Sequence, residues 1–436
     1  MVATPPGRPG RPGRLGRLDA LLVTAAIWFL GKFLRYAFPP LFETLGGTYD
    51  VSRTALGTAF TGFIVVYALM QFPSGLLADR FGSVRVVAAG GLVTVVGALL
   101  LVVDPPFVVL AGAMLLLGGG TGAYKTVSVG LLSQVYPART GRALGAYDTF
   151  GSLAGVAAPA AVVVFAGLPG VVGPPWRTLF LAAAVAGLGL VAAFVRRVPR
   201  RLADPDRDAA APGAGAGADG VDRTGSADGA DETDEAVAAD RADGVVTYLR
   251  PFGEWRFSAF VVVTVLFGFS YNGVVAFLPL YLTTEAGLAP PTANLLFGAL
   301  FAVSLVQLVT GEMSDRAGLL PVLVTTLAVA TLGLGVAVAL PTGSVPVLGL
   351  SVVVLGLGTH GFRPVRGAYL VQILPGARAG GGLGAVRTLL MGAGAVGPAV
   401  VGYLSETAGF RAAFALPLAS LACATGLTLV LWGVET

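Results

Sequence analysis

GLLADRFG, residues 75–82, returns 236 positions later as GEMSDRAG, residues 311–318. Three further blocks keep nearly the same spacing. LGGGTGAYKTVSVGLLSQVYPAR from Leu117 recurs from Leu355 as LGLGTHGFRPVRGAYLVQILPGAR at an offset of 238, with Gly118, Gly120, Thr121, Gln134 and Pro137 matched. LGAYDTFGSLAGVAAP from Leu144 recurs as LGAVRTLLMGAGAVGP from Leu383 at 239, and WRTLF from Trp176 as FRAAF from Phe410 at 234. Four blocks in one order at nearly one offset make the chain a duplication of two homologous halves running in the same direction.

Each half reads as a stack of membrane spans. The 436 residues are 55% hydrophobic and 12% charged, against roughly a quarter charged in soluble globular chains. A water-soluble enzyme is thereby excluded. A transmembrane helix needs about 20 mostly apolar residues, and twelve such runs fall at 18–42, 54–77, 84–103, 107–134, 142–166, 176–195, 256–282, 292–313, 319–340, 345–374, 381–404 and 411–433. Their Gly and Pro interruptions are tolerated in a bilayer where neighbours re-satisfy the freed backbone groups. One Cys and one His supply neither an internal disulfide nor a metal cluster. No nucleotide-binding loop or Ser/His/Asp arrangement is present, so neither enzyme chemistry nor a cofactor is expected.

Charge sets the expected topology. Sixteen arginines, among them Arg80, Arg85, Arg139, Arg142, Arg196 and Arg197, fall on one side of the spans, and only Arg53, Arg177 and Arg411 on the other. Positive residues are retained on the cytoplasmic side, so both termini are expected there and the protein in the cytoplasmic membrane. The expected organisation is a basic tail over 1–17, a six-helix bundle over 18–196, a linker over 197–250 and a second six-helix bundle over 251–436. The linker carries 12 of the 24 acidic residues between Asp204 and Asp243. With almost no large apolar side chain there, it cannot bury enough surface to offset ordering entropy and is expected to be a disordered tether.

The motif GLLADRFGSVR, residues 75–85, resembles the loop between helices 2 and 3 of the major facilitator superfamily, with GEMSDRAG as its weaker second copy. Ser83 and Val84 stand where the family usually has a basic pair. The resemblance covers essentially the whole chain apart from tail and linker. It implies an all-α fold of twelve transmembrane helices in two pseudo-twofold-related six-helix bundles, a solute site between them near the midplane, and no enzymatic activity. It also implies that Gly75, Asp79, Arg80, Gly311, Asp315 and Arg316 form a conformational latch at the cytoplasmic side. Pro159, with Gly151 and Gly155, and Pro398, with Gly394 and Gly397, resemble the helix-bending element that antiporter members carry in helix 5.

An ionisable side chain at the centre of a transmembrane helix costs about 2.5–3.5 kcal/mol on insertion scales, so each is a functional candidate. This chain places Lys32 and Arg35 on helix 1, Lys125 on helix 4, Asp148 on helix 5, His360, Arg363 and Arg366 on helix 10 and Arg387 on helix 11. Trp28, Lys32, Arg35 and Pro39 recur at steps of four, three and four and share one helix face. Through the repeat, Lys125 corresponds to Arg363 and Asp148 to Arg387. One acid therefore faces several bases, and the excess calls for an anion. Lys32, Arg35, Lys125, Arg363, Arg387, His360, Tyr271 and Asn272 are the candidate solute-binding residues. The layout resembles the organic-anion branches of the superfamily. Asp148 is either a proton carrier, its pKa raised by burial, or a structural partner of Lys125, and the sequence leaves both open.

The reading that best fits is a secondary transporter of a small organic or inorganic anion, working as a monomer in the lipid bilayer with a coupling ion such as a proton, and without nucleic acid. The alternatives are a proton-coupled exporter of amphipathic or neutral compounds, in which the basic residues serve packing and gating, and a non-transporting sensor or scaffold.

Overall fold

The computed structural model describes residues 18–103, 106–202, 253–340, 344–373 and 392–435. In the first half the helices are α1 (Asp19–Tyr49), α2 (Arg53–Phe81), α3 (Ser83–Leu100), α4 (Phe107–Val135), α5 (Thr140–Ala166) and α6 (Pro175–Arg197). The second half contains α7 (Trp255–Thr284), α8 (Pro290–Ala317, interrupted by a 3-10 turn at Val303–Leu305), α9 (Leu319–Ala339), α10 (Val345–Ile373), α11 (Gly397–Thr407) and α12 (Gly409–Glu435). Eleven of the described helices are long and apolar enough to cross a bilayer. The expected span 381–404 lies partly outside the described residues, and α11 is its described part. The expected linker over 197–250 begins with a short helix at Pro199–Leu202 rather than as disordered chain and lies outside them from 203 on, as does the tail over 1–17.

Most boundaries follow the apolar runs, but α1 continues seven residues beyond its expected end at 42. Phe42 and Leu45 are buried, so the extra turns are held by packing, and the helix stops only where Asp50 turns left-handed at φ 48°. Ser52 then caps α2 by accepting the Ala55 N–H at 3.0 Å, which satisfies one of the free donors of a helix N-terminus. The repeated motif has the same backbone job in both halves. Gly82 and Gly318, its last residues, both adopt φ +88°, a conformation that side-chain-bearing residues rarely take, and so turn α2 into α3 and α8 into α9. Pro159 lies inside a continuous α5. Pro398 instead sits in the first turn of α11 directly after the 3-10 turn Gly394–Val396, where a missing N–H breaks no helix bond.

The halves meet along α1 with α7, α2 with α11, and α5 with α8. A Cβ at Gly57 would stand 2.3 Å from the Pro398 carbonyl oxygen, so α2 and α11 pass at a distance only glycine allows. Nearby, the Ala399 N–H donates to Thr61 Oγ1 at 3.1 Å. At the end of the bundle near Arg53, Glu406 of α11 accepts the Arg53 and Thr54 N–H groups and the Thr54 hydroxyl, while Arg53 donates to the Ser405 carbonyl at 3.2 Å. A carboxylate thus closes on the positive N-terminus of a helix from the other half. At the opposite end Asp79, Arg80, Asp315 and Arg316 are exposed, and no side chain would touch a Cβ at Gly75 or Gly311 within 4 Å. Arg316 bonds Glu312 of its own helix and Arg80 lies over the adjacent Phe81 ring at 5.3 Å. Among the described residues, hydrogen bonds tie the halves at the Arg53 end, and no ion pair joins the expected latch residues across the halves.

Candidate solute site

Three helices from the two halves bring their charged faces together at the interface. On α1 the spacing places Lys32, Arg35 and Tyr36 on adjoining positions. α7 contributes Tyr271 and Asn272, α10 His360 and Arg363. Lys32, Arg35 and Arg363 are each partly buried. Arg35 donates from Nη2 to Asn272 Oδ1 at 3.1 Å across the interface, and its guanidinium lies 5.8 Å from the Tyr36 ring centre and 6.0 Å from that of Tyr67. Its Nε is buried with no hydrogen-bond partner. Lys32 Nζ reaches Tyr36 Oη at 3.4 Å and lies 5.4 Å from the Trp28 ring centre. Arg363 lies 4.4 Å from the Tyr271 ring, and the same ring packs edge-on to His360.

Aromatic faces stabilise these cations without neutralising them. Among the described residues no carboxylate forms an ion pair with Lys32, Arg35 or Arg363. His360 is 1% exposed, packed edge-on to Tyr271 and Phe301, and both its ring nitrogens lack a partner. A buried donor or acceptor left unpaired carries a desolvation cost of about 1–3 kcal/mol, more for charged groups. Arg35 Nε and His360 thus mark a place suited to a polar ligand.

Lys125 differs from those three. Its ammonium bonds Asp148 Oδ1 at 2.7 Å and lies 4.3 and 4.5 Å from the ring centres of Trp28 and Tyr147, which stack at 5.7 Å. Those contacts tie α1, α4 and α5 together within the first half. The Asp148 side chain is 67% exposed. Tyr271 is buried, and the Asn272 amide is held on both sides, by Arg35 and by the Gly394 carbonyl at 3.1 Å. Arg366 lies 5.9 Å from the Phe267 ring, which stacks on Tyr271 at 6.0 Å. Arg387 falls outside the described residues.

Tyr36 and Phe301, not among the residues expected from sequence, wall the cluster with ring centres 4.4 Å apart. Tyr36 had a signal, since it follows Arg35 directly and lies four residues after Lys32. Glu406 had none, because its partners Arg53 and Thr54 are some 350 positions away.

Two bundles of membrane-spanning helices, meeting face to face around a polar cluster, have the build of a multi-pass membrane transporter. The chain belongs to the Major Facilitator Superfamily, whose sequence profile matches residues 21–306 and 260–436. No curated protein matches it in sequence. Among solved structures it is similar to a bacterial homolog of the human lysosomal transporter Spinster in an inward-facing, occupied conformation, with a TM-score of 0.74 at 15% identity, covering 96% of this chain and 97% of that one. It is also similar to the peptide transporter POT in complex with sulfate (TM-score 0.69, 17% identity, 96% and 94% covered). A third likeness is to a D-xylose-proton symporter (TM-score 0.69, 16% identity, 95% and 97% covered). At such identities the likeness is one of fold.

Proposed function

We propose that this protein is a secondary transporter of small anions, with Lys32, Arg35 and Arg363 as the solute-binding charges. One observation carries the reading: three cations from both halves share the interface and, among the described residues, none has a carboxylate partner. Charges in a membrane interior are costly unless compensated. A transported carboxylate, phosphate or sulfonate compensates them, and the planar forks of Arg35 and Arg363 suit oxyanions better than a point charge would. Tyr271 and His360 line the same place and complete its polar wall, and Arg387, equivalent to Asp148 in the repeat, adds to the positive balance of the second half.

With the arginine-rich loops cytoplasmic, the end bonded through Arg53 and Glu406 faces outward and the site opens to the cytoplasm. The tail over 1–17 and the tether over 197–250 then lie on that side of the cytoplasmic membrane. Because the bound anion touches both halves, rocking them exposes it to one side and then the other. On outward opening, Asp79, Arg80, Asp315 and Arg316 approach and the Glu406 contacts part. Asp148, exposed beside a buried lysine, is the candidate coupling carboxylate, and the protein works as a monomer.

Counterflow into proteoliposomes tests the reading with organic anions, inorganic anions, neutral sugars and lipophilic cations. An anion class carried by the wild type and lost in Arg363→Gln is the expected result. Carriage of neutral or cationic amphiphiles alone, unchanged in Arg363→Gln, would replace it with the exporter reading. Asp148→Asn should retain exchange but lose pH-driven accumulation, and retention of uphill uptake would remove Asp148 from coupling.

A further inference from the structure

We infer that Asn272 is a positioning residue: it holds the Arg35 guanidinium across the interface without neutralising it, so that Arg35 is oriented and still fully charged for the anion. The inference rests on the anion reading above and concerns how the site is built. Asn272 is 9% exposed and makes two hydrogen bonds in opposite directions. Its Nδ2 donates to the Gly394 carbonyl at 3.1 Å, and its Oδ1 accepts from Arg35 Nη2 at 3.1 Å.

The directions are forced. A backbone carbonyl only accepts and a guanidinium only donates, so a group between them must be donor on one side and acceptor on the other. An amide meets both demands. A carboxylate would meet the arginine but set its second oxygen against the Gly394 carbonyl, and would cancel the charge of Arg35. An alkyl side chain would leave both the carbonyl and the guanidinium without this partner. Gly394 opens the 3-10 turn before α11, and a Cβ there would lie 2.8 Å from the Gly268 carbonyl carbon of α7, so the carbonyl that fixes the amide is itself fixed by close backbone packing.

The rest of the Arg35 environment fits a held but uncompensated cation. Its other contacts are ring faces, Tyr36 at 5.8 Å and Tyr67 at 6.0 Å, and its Nε keeps an unpaired, buried N–H. One Nη is anchored while Nε stays available, which leaves a donor for an oxyanion in a set orientation. Preorganised donors bind more tightly because less ordering remains to be done at the moment of binding. The anchor also crosses the interface, so the guanidinium of the first half is tied to a helix of the second.

A double-mutant cycle on the full-length protein in detergent separates a residue that acts through Arg35 from one that touches the solute. Binding of inorganic phosphate, succinate and benzoate is measured by calorimetry for wild type, Asn272→Ala, Arg35→Gln and the double variant, using whichever anion the wild type binds. Asn272→Ala should weaken binding about tenfold, the scale of a hydrogen bond to a charged group, and by less than about twofold when Arg35 is already Gln. Asn272→Asp should weaken it as much as Arg35→Gln does, and Asn272→Ser, a smaller donor and acceptor, should lie between wild type and Asn272→Ala. Additive losses would show that Asn272 contacts the anion itself and overturn the inference while leaving the anion site standing. Unchanged binding in Asn272→Ala or Asn272→Asp would overturn it too. If Asn272→Ala fails to fold, Asn272→Ser and Asn272→Asp carry the same cycle. If the wild type binds none of the three anions, the anion reading fails and the inference falls with it.

Discussion

Lys125 and Arg363 occupy the same position in the two halves, yet among the described residues only Lys125 has a carboxylate partner. Lys125 is closed in by Asp148 at 2.7 Å and by the Trp28 and Tyr147 rings. Arg363 has the Tyr271 ring and, at the position equivalent to Asp148, an arginine in the sequence. Duplication therefore preserved where a cation stands but not what balances it. A cation balanced within its own half ties helices together, and one left unbalanced at the interface draws its counter-charge from a ligand that both halves can hold. The same division separates Glu406, which bonds a helix end of the other half, from the interface cluster, to which no described carboxylate is bonded.

The contrast breaks first at Arg363. Arg363→Gln should weaken anion binding by about a hundredfold or more, in line with removal of one partner of a desolvated charge pair, whereas Lys125→Met combined with Asp148→Asn should leave it within a fewfold; calorimetry reads both. Equal losses would mean that the two positions play the same part. Asp148→Asn alone should lower stability by about 1–2 kcal/mol, a charge-assisted bond discounted for the exposure of the carboxylate. Adding Lys125→Met should restore part of that loss, because the uncompensated ammonium is then gone. Thermal unfolding measures it.

The smallest effect sits at the Arg53 end. Burial acts to raise the Glu406 carboxyl, but the hydrogen bonds from the Thr54 hydroxyl and the Thr54 and Arg53 N–H groups outweigh it and hold the group below the ordinary carboxylate range. A depressed folded-state value means that its contribution is complete at neutral pH and is lost as pH falls below the ordinary value of about 4.3 and through the depressed one. Glu406→Gln should cost a few tenths of a kcal/mol at pH 7, the scale of a carboxylate at an exposed helix N-terminus, and should flatten the stability profile in that acidic window. A profile that steepens there would show that Glu406 does not tie the halves.

Much of this was legible before any coordinates. The repeat fixed the two-bundle plan, because homologous halves must place equivalent helices alike, and it named Lys125 and Arg363 as equivalents. The helix period put Lys32 and Arg35 on one face. What the sequence left open depended on distance along the chain. Whether Asp148 reaches Lys125 depends on the rotation of α4 against α5, and the Arg35–Asn272 and Glu406–Thr54 contacts join residues of different halves, which no local pattern records. Asn272 could be read as polar at pocket depth, but its two-sided engagement required the backbone of Gly394. The continuation of α1 to Tyr49 likewise came from packing of Phe42 and Leu45 rather than from the apolar run.

The central claim, that the interface cations without a described carboxylate partner bind an anion, is tested most directly by thermal stability of the full-length protein in detergent across organic anions, inorganic anions, neutral sugars and lipophilic cations. A ligand of the folded state raises stability as RT ln(1 + [L]/Kd), so at a hundred times its Kd it adds about 2.7 kcal/mol. The account predicts stabilisation by one class of anion, abolished in Arg363→Gln and retained when Lys125→Met and Asp148→Asn are combined. Stabilisation by neutral or cationic compounds alone, or by anions equally in the wild type and Arg363→Gln, would contradict it.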